Sequence, residues 1–252
     1  MSLGILFPGQ GSQSIGMLKD LKSSYNIVSD VFEEASDILS CDLWKIAKNG
    51  PESKINDTEF TQPIMLCASY SVWRIWNDEG GENPIYMAGH SFGEYTSLCA
   101  ADSLKFKDAV NLVKNRALCM KKAPKGKMAA IIGIDYQILK KLYDENTLSE
   151  VSIANINAPG QIVISGSIDG VDQLSDIALS NNAKKVIPLP VSVAAHSSLM
   201  SDQSKVFKKF VDKVIFKKPI IPVVNNVDVK TEEDENLIKD ALVRQLFSSV
   251  RW

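Results

Sequence analysis

The chain has 252 residues, 45% of them hydrophobic and 23% charged, with a formal net charge of −2. That composition belongs to ordinary globular proteins and excludes disordered, collagen-like and coiled-coil arrays. The charge is segregated: residues 104–127 carry +7, residues 184–218 carry +6, and the remainder carries −15. Such a distribution can steer an anionic partner, although lysine-rich solvated helix faces would produce the same pattern.

In chain order, Met1-Ser-Leu-Gly-Ile-Leu-Phe-Pro8 lacks the cationic flank and full apolar stretch of a signal peptide. Residues 4–7 read instead as a first strand, closed by the turn Pro8-Gly-Gln-Gly11. Thr61-Gln-Pro63 places a capping residue beside a proline suited to a first helical turn. The residues after it, 64–76, read as a buried helix stopped by Gly80 and Gly81. Residues 84–88 follow as a strand, 94–101 as a helix and 104–120 as an amphipathic helix. Residues 1–122 are thus expected to alternate strands with helices, and residues 12–60 receive no assigned element.

After Pro124 the rhythm changes. Residues 127–134, 151–155, 161–165 and 185–189 read as strands, and residues 136–143 and 171–180 as helices. That β-α-β-β-α-β order is the split pattern of a ferredoxin-like unit, expected as a smaller domain inserted into the first. A lysine-rich helix, a Pro222-Val-Val strand and a final helix over 235–246 complete the reading. The longest apolar run, residues 128–134, is far shorter than the ~20 residues a membrane-spanning helix needs. Cysteines 41, 67, 99 and 119 form no Cys-x-x-Cys pair, so no metal site or disulfide framework is expected and a cytoplasmic setting fits.

Gly89-His-Ser-Phe-Gly93 matches Gly-x-Ser-x-Gly between an expected strand and an expected helix, the setting of a nucleophile elbow. Ser91 would then stand at a helix N-terminus, where free N–H groups favour a developing anion. A serine nucleophile needs a base, and the chain has two histidines. His90 adjoins Ser91, and consecutive side chains diverge, so His196 is the candidate, at the end of the small domain. No aspartate that could orient it stands out; Asp202, Asp212 and Asp228 lack an obvious strand-end setting, and a backbone or amide group could serve. Arg116 falls within the apolar stripe of its helix, either snorkelling to water or acting as a clamp for a carboxylate. The turn at Gly9 to Ser12 fails the dinucleotide pattern, and Lys125-Gly-Lys127 completes no phosphate loop.

Taken together, Phe7-Pro-Gly-Gln-Gly-Ser-Gln13, Thr61-Gln-Pro63, Gly89-His-Ser-Phe-Gly-Glu-Tyr95, Asn155-Ile-Asn-Ala-Pro-Gly-Gln161, Leu189-Pro-Val-Ser-Val193 with His196, and Pro222-Val-Val-Asn-Asn-Val-Asp228 resemble, in order, the malonyl-CoA:acyl carrier protein transacylases of bacterial fatty acid synthesis and the related polyketide synthase acyltransferase domains. The resemblance implies an α/β fold: an α/β-hydrolase-like large subdomain (residues 1–123 and 192–252) with an inserted ferredoxin-like small subdomain (residues 124–191). It also implies ping-pong malonyl transfer from malonyl-CoA to the thiol of acyl carrier protein, with no bound cofactor and no metal. Ser91 would be the nucleophile and His196 the base. The backbone N–H groups of Gln10 and Phe92 would form the oxyanion hole, Arg116 would bind the malonyl carboxylate, the Gln245 carbonyl would orient His196, and Gln62 would line the pocket.

Lys184 and Lys185 are expected to contribute to carrier docking, and a cytoplasmic monomer binding neither membrane nor nucleic acid is expected. Ala195 stands where family members often carry a serine or an aromatic residue, and favours malonyl over methylmalonyl. The chain stops at Trp252, whereas relatives usually continue with a strand and helix around a Gly-Pro-Gly turn. An apparent C-terminal truncation, with an exposed sheet edge and low stability, is therefore expected. The competing readings are a trans-acting polyketide acyltransferase, a thioester hydrolase sharing the elbow, and an inactive truncated module that only binds carrier protein.

Overall fold

A computed structural model of the chain describes residues 2–191 and 193–252; Met1, and Ser192 within the Leu189-to-Val193 motif, lie outside the described residues. The elements in chain order are β1 (Gly4–Phe7), α1 (Lys19–Ser24), α2 (Asn26–Leu39), α3 (Leu43–Asn49), α4 (Glu52–Ile55), α5 (Thr58–Asp78), β2 (Tyr86–Gly89), α6 (Gly93–Ala100) and α7 (Phe106–Lys122). They continue with β3 (Lys127–Ile132), α8 (Tyr136–Glu145), β4 (Val151–Ala158), β5 (Gln161–Gly166), α9 (Ile168–Ser180) and β6 (Lys185–Pro188). The last are α10 (Ser201–Val211), β7 (Val223–Val224), α11 (Glu235–Arg244) and β8 (Val250–Arg251). The chain divides into two compact units: Met1–Leu118 with Phe210–Asn225 and Lys230–Lys239, and Cys119–Lys209 with Asn226–Val229 and Asp240–Trp252.

The first unit holds a parallel sheet in the order β1-β2-β7. Phe7 pairs with Gly89 and Ala88 with Val224, so all three strands end at the same edge of the sheet. The expected alternation of strands and helices over residues 1–122 gives way to a helix-rich segment, with four helices between Lys19 and Ile55. The signal for the longest of them is present: Val28, Val31, Phe32 and Ala35 recur at three- and four-residue spacing and are all buried.

Helix α5 also differs from expectation. Its cap is Asp57, which accepts the Glu59 N–H, and the helix begins at Thr58 rather than at Thr61. Thr61 instead turns its hydroxyl back to the carbonyls of Ile55 and Asp57, at 2.6 and 2.9 Å. Pro63 lies inside the helix, close enough to its start that the missing bond, to the Glu59 carbonyl, falls in the first turn. An apolar groove of about 420 Å³ runs between β1 and α5, lined by Leu6, Phe7, Met65, Val72 and Trp76 among others. Leu6, on the edge strand β1, is 66% exposed.

The second unit is built on a five-stranded sheet in the order β6-β3-β5-β4-β8. Strands β3, β4, β5 and β6 are joined antiparallel, which is the pairing a β-α-β-β-α-β unit requires. Alternate residues Ala129 and Ile131, and Ile162 and Ile164, pack with Leu139 of α8 and Val171, Leu174 and Ala178 of α9 in a single core. Strand β8, absent from the sequence reading, adds in parallel to β4 through Asn155–Val250 and Ile156–Arg251. Among the described residues, no helix is long and apolar enough to cross a membrane.

Candidate active site

In the first unit the site grows from the turn between β2 and α6. A Cβ on Gly89 would lie 1.9 Å from the Gly93 carbonyl carbon and 2.3 Å from the Glu94 nitrogen. A Cβ on Gly93 would lie 2.8 Å from the carbonyl oxygens of Phe7 and Pro8. Both glycines are therefore dictated by backbone crowding. Between them Ser91 adopts φ +54°, a left-handed conformation that non-glycine residues rarely hold without functional reason. The Gly93 and Glu94 N–H groups bond back to the carbonyls of His90 and Ser91, at 2.9 and 3.1 Å, closing the turn. Phe92 is the residue from which α6 starts, and its side chain is buried. Gln10 lies in the turn after β1, and because Phe7 pairs with Gly89 it leaves the sheet edge beside Ser91. Its side-chain amide donates to Thr58 Oγ1 at 3.2 Å, tying that turn to the first residue of α5.

Arg116 does not snorkel. Only 1% of it is exposed, and it sits in the stripe of α7 that also buries Ala109, Val110, Leu112, Val113 and Ala117. Its Nη2 donates to Ser91 Oγ at 3.0 Å and its Nη1 to Gln62 Oε1 at 3.2 Å. The Tyr95 ring, one helical turn beyond Ser91, lies 5.9 Å from the guanidinium carbon. Burial pushes the guanidinium pKa down, opposed by neighbouring Tyr95 and Glu94. The same burial raises the Tyr95 phenol. A Lys114–Glu59 ion pair at 2.7 Å joins the same two helices, α7 and α5, that carry Arg116 and Gln62. A buried cation touching a serine hydroxyl is arranged to receive a small acyl group that carries its own anion. Tyr95 was missed as a contributor by sequence reasoning; it lies in the first turn of α6, directly after the elbow.

In the second unit, His196 is 3% exposed and has φ +60°. Its ring Nδ1 donates to the Gln245 carbonyl at 2.7 Å, and its backbone N–H donates to the Leu246 carbonyl at 2.9 Å. A carbonyl can only accept, so in the neutral ring Nδ1 carries the hydrogen and Nε2 is the unprotonated nitrogen, able to accept a proton. That is the tautomer of a general base. Gln245 is itself buried, with its amide donating to Asn226 Oδ1 at 3.4 Å. Of the aspartates considered, Asp202 pairs with Lys205 at 2.8 Å on the surface, and Asp228 accepts a two-pronged Arg244 contact.

The first unit also has a recess of about 670 Å³ lined by Tyr70, Cys99, Ser103, Phe106 and Lys217. It opens at the far end of α6 from Ser91, about 12 Å away along eight residues at 1.5 Å each, and contributes nothing to the chemistry at Ser91. No group of three or more His, Cys, Asp or Glu side chains suited to a metal occurs among the described residues.

The acyl transferase domain family matches residues 5–252. The malonyl CoA-acyl carrier protein transacylase of Salmonella typhimurium is 45% identical over 251 residues, covering 98% of this chain and 81% of that protein. This chain belongs to the malonyl CoA-acyl carrier protein transacylase family. Among solved structures, the acyl carrier protein S-malonyltransferase of Vibrio cholerae superposes with a TM-score of 0.96 at 44% identity, covering all of this chain and 84% of that one. A malonyl-transacylase solved in complex with its type II PKS acyl-carrier protein superposes with a TM-score of 0.97 at 42% identity, covering 100% and 83%. The fold class of this family member is thus the α/β one of those transacylases, and its enzyme class is acyltransferase.

Proposed function

We propose that this chain transfers a malonyl group from malonyl-CoA to the phosphopantetheine thiol of acyl carrier protein, in the service of fatty acid synthesis. The observation that carries the reading is the buried Arg116 guanidinium bonded to Ser91 Oγ, in a chain whose relatives are malonyl transacylases. Ser91 Oγ attacks the thioester carbonyl while His196 Nε2 takes its proton. The negative oxygen of the tetrahedral intermediate is held by the backbone N–H groups of Gln10 and Phe92. Collapse expels CoA thiolate, which takes the proton from the imidazolium and leaves malonyl-Ser91. The carrier thiol, deprotonated by the same Nε2, then attacks that ester, and Ser91 recovers its proton.

Throughout, Arg116 holds the malonyl carboxylate and Gln62 holds Arg116. An acetyl group brings no carboxylate to the guanidinium and so gains none of that interaction. The chemistry needs no metal or prosthetic group, and the enzyme acts as a cytoplasmic monomer. Lys184 and Lys185, both exposed at the start of the edge strand β6, contribute to docking the acidic carrier. The test compares two fates of preformed malonyl-enzyme. Discharge by added carrier protein at least 100 times faster than by water supports transfer; equal rates would make the chain a thioester hydrolase instead.

A further inference from the structure

Two side chains flanking the carbonyl that holds His196 have no part in the chemistry above. Helix α11 ends at Arg244. Beyond it the backbone tightens, with Leu246 N–H donating to Val243 at 3.3 Å and Phe247 N–H to Arg244 at 3.1 Å. The Gln245 carbonyl is among the last of the helix, at the negative end of its dipole, and points to the imidazole rather than along the helix.

The Arg244 guanidinium is held on two sides. Its Nη1 and Nη2 donate to the two carboxylate oxygens of Asp228 at 3.1 and 2.6 Å, and its Nε donates to Asp240 Oδ2 at 2.6 Å. Asp228 stands in the turn after β7, and that turn also holds Gln245 by its side chain, through Asn226. The carbonyl of Asn226 in addition accepts the Arg251 N–H at 3.0 Å. One short turn thus grips the chain at Arg244, at Gln245 and at Arg251. A planar fork fixes orientation as well as distance, which a point charge such as lysine does not. Both side chains of the pair are one-third exposed, so as a plain ion pair it would add little to stability.

We infer that Asp228 and Arg244 are positioning residues: their paired fork sets the last turn of α11 so that the Gln245 carbonyl selects the Nδ1–H tautomer of His196. The inference rests on the reading of His196 as the base. Its test uses 15N-labelled histidine, and the chain has two histidines, so a His90→Gln variant assigns the spectrum. In the wild type at pH 8, His196 is expected to show a protonated Nδ1 and a bare Nε2. In Arg244→Gln and Asp228→Asn, both nitrogen shifts move toward tautomer-averaged values. The single-turnover rate of Ser91 acylation falls by about tenfold, as small misplacements of a catalytic group do, while KM for malonyl-CoA stays within twofold.

Arg244→Lys keeps the charge and loses the fork, and is expected to behave like Arg244→Gln; it decides the matter if the other variants lose the native amide spectrum. An unmoved His196 signature, or a loss of rate seen only with loss of the native spectrum, overturns the inference. A tautomer shift in the variants, together with a wild type whose Ser91 never acylates, upholds the positioning and removes the transferase reading instead.

Discussion

Replacing Arg116 by methionine keeps the apolar stem of the side chain and removes the cation. The guanidinium is 1% exposed and bonded to Ser91 and Gln62. In the proposed malonyl-enzyme it would face a carboxylate in that same buried setting. Removing one partner of a buried, hydrogen-bonded charge pair costs about 2–5 kcal/mol, which at 1.4 kcal/mol per decade lowers kcat/KM for malonyl-CoA by about 30- to 4,000-fold. For acetyl-CoA no such loss is expected, because that acyl group brings no carboxylate to the guanidinium. Loss of the 3.0 Å bond to Ser91 Oγ affects both substrates alike and cancels in their ratio. Steady-state kinetics with both thioesters should therefore show the malonyl-to-acetyl preference collapsing by about 30-fold or more. Equal losses for the two substrates would refute the carboxylate clamp and leave Arg116 a part of the nucleophile's support alone.

Gly89→Ala is expected to abolish folding or to cost at least about 3 kcal/mol, the scale of overpacking against backbone that cannot move; a Cβ there would lie 1.9 Å from Gly93. A wild-type melting temperature for this variant would contradict the elbow geometry. At alkaline pH, burial raises the thiols of Cys67 and Cys99 and pushes the Tyr70 phenol up to about 12. These groups stay neutral in the fold while the unfolded chain ionises them above about 8.5 and 10. Their stabilising contribution is complete below those values and is lost as pH rises through the folded ones, so the melting temperature should fall between pH 9 and 11. Tyr70→Phe should flatten the part above pH 10, and a level profile in the wild type would count against the burial. Leu6→Lys places a charge on the exposed edge of β1 beside the apolar groove. On heating, light scattering should show a later onset of aggregation than in wild type at equal far-ultraviolet signal; an unchanged onset would show that this edge is inert.

The small-domain elements were legible because each obeys one period. Ala129 and Ile131 alternate as a buried strand must, and turn residues such as Pro159-Gly160 mark the hairpin. The elbow was legible for a different reason: only glycine fits at residues 89 and 93, so crowding writes itself into the sequence. Helix α2 carries an equally good pattern in Val28, Val31, Phe32 and Ala35, but between Gly16 and Gly50-Pro51 no glycine or proline marks where one helix stops and the next starts. The start of α5 was misplaced because Thr61 resembles a cap while Asp57, four residues earlier, does the capping. Arg116 could not be resolved from spacing, since a snorkelling and a buried arginine occupy the same helical stripe; the hydrogen bonds to Gln62 and Ser91 decide it. The orienting partner of His196 is a backbone carbonyl, which any residue at 245 supplies, so side-chain identity alone carried no sign of it. The Arg244–Asp228 fork joins positions 16 residues apart and becomes visible only once the turn folds back on α11.

In the proposed reaction Ser91 carries a malonyl group on its way to a carrier thiol. Intact mass spectrometry after mixing the chain with malonyl-CoA tests this most directly, beside acetyl-CoA and the Ser91→Ala and His196→Ala variants. A malonyl adduct is expected on the wild type, absent from Ser91→Ala, formed far more slowly by His196→Ala and removed when carrier protein is added. A folded wild type that takes up no malonyl group, or an adduct that persists in Ser91→Ala, would contradict it.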